Sequence, residues 1–155
     1  MEESEKGKKG KEKVAKIRTF PVSFALEEIS ENITVSPTSS SQPTKEEIIS
    51  QAFKFHSQGN ISEAAKYYQL FINQGFKDHR VFSNFGVMLK NLGQLKEAAV
   101  LQRKAIELNP NFTEAHSNLG NILKDLGNLQ EAEKSTRKAI ELNPNFTEAH
   151  SNLGN

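Results

Sequence analysis

Nineteen consecutive residues, RKAIELNPNFTEAHSNLGN, occur twice in this chain, at Arg103–Asn121 and again at Arg137–Asn155, an offset of 34. A match of that length in a chain of 155 residues does not arise by chance, so the sequence is a repeat sequence before it is anything else. Carrying the register backward aligns three full units, Lys45–Asp78, His79–Phe112 and Thr113–Phe146, and a partial one, Thr147–Asn155. Each full unit holds two stretches of helical character separated by a glycine-centred turn: Gly59-Asn60, Gly93-Gln94 and Gly127-Asn128. Asn109-Pro110 and Asn143-Pro144 end the second stretch, because proline lacks an N–H and disfavours helix in the residue before it. The array opens with Thr44-x-x-Glu47 after Pro43, a capping-box pattern.

Two glycines lie where a helix former belongs. Gly86 and Gly120 fall inside first helices, at a cost of about 1 kcal/mol against alanine. That loss makes sense where a partner helix approaches closely, near Ala98 in one unit and Ala132 in the next. Apolar residues recur on facing stripes, with Leu95, Ala98, Ala105, Ile106 and Leu108 matched by Leu129, Ala132, Ala139, Ile140 and Leu142. One helix pair cannot bury its own apolar face, so neighbours stack and share a continuous core. Phe82, Phe85, Phe112 and Phe146 read as members of that core rather than as a ligand cage.

A helical unit of 34 residues with these landmarks resembles the tetratricopeptide repeat (TPR). The third unit carries His116, Leu119, Gly120, Leu123, Ala132, Thr136, Ala139 and Pro144 at repeat positions 4, 7, 8, 11, 20, 24, 27 and 32. The second carries Phe82, Phe85, Gly86, Leu89, Ala98, Gln102, Ala105 and Pro110 there. The first is looser and departs with Phe71 at position 27 and Phe76 at 32, which leaves its packing on the next unit open. The resemblance covers residues 45–155 and implies an all-α solenoid of three full repeats and a truncated fourth. Gly86, Ala98, Ala105, Pro110, Gly120, Ala132, Ala139 and Pro144 are then the repeat-packing residues.

The resemblance also implies that first helices line a concave groove that grips a peptide or protein segment. Positions 2, 5, 6, 9, 12 and 13 would face it: Arg80, Ser83, Asn84, Val87, Lys90 and Asn91 from the second unit, and Glu114, Ser117, Asn118, Asn121, Lys124 and Asp125 from the third. Glu148 and Asn152 begin the same series in the partial unit. Position 6 is Asn84, Asn118 and Asn152, an asparagine every 34 residues on one face. An amide has two donors and two acceptor lone pairs, so such a ladder can satisfy both sides of an extended backbone. It is similar to the groove of the TPR arm of O-linked N-acetylglucosamine transferase. The plainer alternative is that these amides brace neighbouring turns. The carboxylate clamp that grips chaperone C-termini needs lysine at position 5, where this chain has Ile49, Ser83, Ser117 and Ser151. The first unit is also similar to the opening unit of cyanobacterial TPR proteins, in which such arrays precede glycosyltransferase-, sulfotransferase- or methyltransferase-like domains. A recognition arm of a larger transferase is therefore the rival to a free-standing interaction scaffold.

The first 44 residues differ in kind from the rest. Residues 1–18 hold seven basic groups against four glutamates, and residues 36–44 are rich in Ser, Thr and Pro. Such a stretch cannot bury enough apolar surface to offset its chain entropy, so a disordered tail is expected, with Ser23–Ile33 as a brief amphipathic helix at most. A secretory signal fits poorly, because the apolar part is short, contains Pro21 and runs into Glu27-Glu28. Nucleic acid is not expected as a partner: the whole chain carries a net charge of only +1, and glutamates interrupt the basic block.

Catalysis finds no support. There is no cysteine, no Gly-rich phosphate loop and no HExxH. His116 and His150 occupy the same repeat position and lack further ligands at metal spacing, so packing is the expected role. No cofactor and no metal are expected. No apolar run approaches the roughly 20 residues that span a bilayer, and a cytoplasmic protein that binds an unidentified protein or peptide is the reading. Asn155 falls in mid-helix, so the last apolar stripe is expected to be thinly covered by Ala149, His150 and Leu153 and to favour weak end-to-end self-association.

Overall fold

The computed structural model describes residues 42–154. The expectations for the N-terminal tail, including the amphipathic stretch, and for Asn155 fall outside the described residues. Among these residues there are seven helices and no strand: α1 Lys45–Ser57, α2 Ile61–Asn73, α3 His79–Asn91, α4 Leu95–Leu108, α5 Thr113–Asp125, α6 Leu129–Leu142 and α7 Thr147–Gly154. Odd and even helices alternate as hairpins, α1 on α2, α3 on α4, α5 on α6, and each hairpin leans on the next. Along the stack α3 touches α5 and α5 touches α7, while no comparable contact joins α4 to α6. Helices α3, α5 and α7 therefore form the inner row of a helical-hairpin solenoid, and α1 holds the corresponding place in the first hairpin.

Local chemistry sets the boundaries. Thr44 caps α1 in a full capping box, its hydroxyl accepting from the Glu47 N–H while the Glu47 carboxylate accepts from the Thr44 N–H at 2.7 Å. At the end of α3 and α5, Gly93 and Gly127 take φ of 77° and 78°, a left-handed turn that glycine enters without a side-chain clash. The reversal lets Gln94 N–H reach back to Leu89 C=O at 2.9 Å and Asn128 N–H to Leu123 C=O at 2.8 Å. The helices α4 and α6 stop one residue short of Asn109 and Asn143, ahead of the prolines. The two repeated histidines have work at these loops. His116 Nε2–H donates to Pro110 C=O at 2.9 Å and His150 Nε2–H to Pro144 C=O at 2.7 Å, since a carbonyl can only accept.

The core runs the length of the stack from Ile48 to Ala149. Ala98, Ala105 and Ala139 are wholly buried and Ala132 nearly so, which is what lets helix backbones meet. A Cβ on Gly86 would stand 3.2 Å from the Ala98 carbonyl oxygen and 2.7 Å from Gln102 Nε2. One on Gly120 would stand 3.3 Å from the Ala132 carbonyl oxygen and would overlap Thr136 Oγ1. The first unit packs by another device. Phe71 is completely buried, with ring centroids 5.6 Å from Phe76 and 6.4 Å from Phe82 of α3, the latter edge-on. Tyr68 stacks on Phe85 at 5.1 Å. The departures at repeat positions 27 and 32 are thus an aromatic joint between the first and second hairpins.

Candidate peptide-binding face

The inner row presents the odd helices side by side, and their repeat positions do not lie at equal depth. Val87, Lys90, Asn84, Asn118, Asn121 and Asn152 are half-buried, and Arg80, Asn91, Glu114, Lys124, Asp125 and Glu148 are exposed. Ser83 and Ser117 are not groove residues in this sense. They are 3% and 0% exposed, covered by the helices packed against α3 and α5. Arg80 is also less available than its exposure suggests. Its Nε and Nη2 donate to the two oxygens of Asp78 at 3.1 and 2.7 Å, while Asp78 caps α3 by accepting from the Arg80 N–H at 2.9 Å. Burial raises the Asp78 pKa, but the bonds and charge of Arg80 outweigh it and hold the carboxyl below its ordinary value.

The asparagine ladder has two kinds of rung. Asn118 Nδ2 donates to Ser83 Oγ at 3.5 Å and Asn152 Nδ2 to Ser117 Oγ at 3.2 Å, each reaching back to the preceding inner helix. Those two amides link adjacent inner helices, not neighbouring turns. Asn84 stands in the same relation to Ile49, whose alkyl side chain offers no acceptor. Its amide has no hydrogen-bond partner among the described residues. Val87, one turn along α3, is half-buried, as are Ile49 and Phe53 of α1, so apolar side chains recur at this end of the array. Towards α5 the face turns polar, with Asn121, Lys124 and Asp125.

Beneath the ladder sits a residue that the groove positions did not include. Gln102 of α4 is completely buried and reaches across to α3, where Nε2 donates to the Ser83 carbonyl at 2.9 Å and Oε1 accepts from the Ser83 hydroxyl at 2.9 Å. Its only sequence signal was a long polar residue at a repeat position where Tyr68 and Thr136 stand in the other units. His56, also on the inner row, lies with Nδ1 at 2.8 Å from the Tyr68 hydroxyl, and burial lowers its pKa. The same burial pushes the Tyr68 hydroxyl well above its ordinary value.

A second concavity of about 870 Å³ opens on the outer side, where α4, α5 and α6 meet. Ile106, Leu119 and Leu123 form its floor. Arg103–Glu131, Arg137–Glu133 and Lys138–Glu141 ion pairs at 2.9, 2.8 and 2.7 Å neutralise most of its wall, so it has little charge with which to select a ligand. Among the described residues no helix is long and apolar enough to cross a membrane.

Comparison with known proteins agrees with this geometry. The tetratricopeptide repeat family matches residues 113–146, and a second model described as TPR repeat matches residues 86–127. No curated protein matches the sequence. Among solved structures, MamA superposes with a TM-score of 0.68 at 19% identity over 72% of this chain and 65% of its own. The O-GlcNAc transferase of Thermobaculum terrenum (a K341M mutant) gives a TM-score of 0.65 at 26% identity over 70% of this chain. The chain spans only 21% of the length of that enzyme and just under two thirds of MamA. The first TPR of Spaghetti (RPAP3), bound to the HSP90 peptide SRMEEVD, gives 0.67 at 25% identity over 71% of this chain and 87% of its own. Residues 86–146 match tetratricopeptide repeat models, and the described residues fold as a helical-hairpin solenoid like those of the tetratricopeptide-repeat structures.

Proposed function

We propose that the array binds an extended protein segment across the inner row of α1, α3 and α5, and serves as a cytoplasmic interaction scaffold without catalysis of its own. The observation that carries this reading is Asn84: a half-buried amide with no hydrogen-bond partner among the described residues, one turn from half-buried Val87 and in the repeat register of Ile49. A polar group in that setting is poorly satisfied by the protein and gains a hydrogen bond when a peptide backbone covers it. The solved relative with an HSP90 peptide supports peptide binding by this kind of fold. It does not pass its ligand to this chain. Position 5 here is Ile49, Ser83, Ser117 and Ser151, without a cation to hold a terminal carboxylate.

A short peptide selected by display on the full chain tests the reading. Asn84→Ala together with Val87→Asp is expected to weaken that peptide by about tenfold or more while the helical signal stays unchanged. Unaltered affinity would reject the inner row as the site. The likeness to the O-GlcNAc transferase supports a second reading, in which the same face is the recognition arm of a larger transferase. The coding sequence beyond codon 155 decides between a free scaffold and such an arm.

A further inference from the structure

The rung at Ser83 and the rung at Ser117 are spelled almost alike, but only the first has its protons ordered. The ordering starts at an atom with no choice. The Ser83 backbone carbonyl can only accept, so the Gln102 nitrogen 2.9 Å away donates to it, and Gln102 Oε1 is thereby turned to the Ser83 hydroxyl. That oxygen can only accept, so the hydroxyl donates to it at 2.9 Å. Ser83 Oγ, its proton committed, has only lone pairs left to offer. Asn118 must therefore meet it with Nδ2, at 3.5 Å, which leaves Oδ1 as the unbonded end of the Asn118 amide. Ser83 and Gln102 are 3% and 0% exposed, so bulk water does not compete for these bonds.

The next rung lacks this logic. Thr136 stands where Gln102 does, and its hydroxyl donates to the Ala132 carbonyl of its own helix at 2.9 Å. The Ser117 hydroxyl has no fixed acceptor among the described residues, so Asn152, 3.2 Å away, satisfies it in either amide orientation.

We propose that Gln102 is a positioning residue that presents the Asn118 oxygen as an acceptor, so that this rung receives a backbone N–H from the bound segment. This rests on the reading of the inner row as a peptide site. The consequence is a rule for the ligand. At the register of Asn118 the segment must carry a free N–H, so proline and N-alkylated residues are rejected there. At Asn84, where no serine faces the amide, either orientation is open and the rule does not hold.

Two measurements on the full chain test it. The first needs no peptide: the side-chain amide of Asn118, followed by nitrogen-15 NMR, is expected to show contacts from its NH2 protons to Ser83 in the wild type. These contacts should weaken and the signal average in Gln102→Thr, which places the residue of the next repeat at that site. Ser83→Ala removes the same acceptor without touching Gln102 and should do likewise. An Asn118 amide unchanged in both variants would overturn the positioning role. The second uses the display-selected peptide and a set of its singly N-methylated versions. One N-methylation is expected to weaken wild-type binding by about five- to tenfold, the worth of one hydrogen bond, and to weaken Gln102→Thr binding by about twofold or less. A purely structural role for Gln102 would lower affinity for every version alike, and that result, or the absence of any sensitive position, would overturn the proposal. A peptide indifferent to both Asn84→Ala and Asn118→Ala overturns the inner-row reading instead. The amide spectrum separates that case, because it reports the orientation with nothing bound.

Discussion

The first hairpin joins the second through aromatic rings, whereas the second closes on itself through a glycine, an alanine and a buried hydrogen-bond relay that reaches the third by way of Asn118. Repeat position 24 shows the contrast at one site. Tyr68, Gln102 and Thr136 are all buried there, and each disposes of its polar atom differently: to His56 on the inner row, across to Ser83, and back to Ala132 of its own helix. The residue opposite follows suit. Gly86 and Gly120 face Gln102 and Thr136 at distances that exclude a Cβ, while Ala52 stands at that place beside Tyr68, whose ring reaches away to Phe85. A repeat backbone fixes where the helices meet, and the side chains at positions 8, 24 and 27 decide what kind of contact they make.

The comparison breaks most readily at Phe71. Phe71→Ala is expected to cost about 3–5 kcal/mol, since a wholly buried ring that touches both Phe76 and Phe82 leaves a cavity no neighbour can fill. Amide exchange should then show α1 and α2 opening well before α3 to α6. A cost below about 1 kcal/mol by urea denaturation would mean that the aromatic joint does not hold the first hairpin. The relay comes next. Gln102→Met should cost about 1–3 kcal/mol by leaving the buried Ser83 hydroxyl without its acceptor, while Thr136→Val, which removes one bond to a carbonyl already serving the helix ladder, should cost less than about 1 kcal/mol. Equal denaturation midpoints for the two variants would erase the distinction between the second and third hairpins.

How much of this was legible in the sequence follows the same division. The period of 34, the hairpin turns, the cap at Thr44 and the need for glycine at Gly86 and Gly120 are local or strictly periodic, and the letters carry them. Depth was not legible. Helical spacing assigns Ser83 and Ser117 to the inner face, but whether that face is open at a given residue depends on the length of the side chain arriving from the next helix. Phe71 and Phe76 read as departures because a pattern scores each position by itself, whereas the two rings are complementary to each other and to Phe82. The commitment of Arg80 to Asp78 was visible only as a two-residue spacing that many helix starts share.

Two smaller effects sharpen the contrast further. Asp78→Ala removes the cap of α3 and should cost about 1 kcal/mol, read as a lower denaturation midpoint. The first hairpin alone should also respond to mild acid. Burial lowers the folded-state pKa of His56 below its ordinary value of 6.5, so the unfolded chain binds the proton more readily. The stability that neutral His56 permits is therefore complete above about pH 6.5 and declines as pH falls through the folded pKa. His56→Gln should flatten that decline, and an unchanged pH profile would remove His56 from the account.

An amide and methyl NMR map of the full chain titrated with the display-selected peptide tests binding on the inner row most directly. Shifts are expected at Ile49, Asn84, Val87, Lys90 and Asn118 on the inner row, with Ile106, Leu119 and Lys134 in the outer concavity unmoved. Shifts confined to the outer concavity, with Asn84 and Val87 silent, would contradict it.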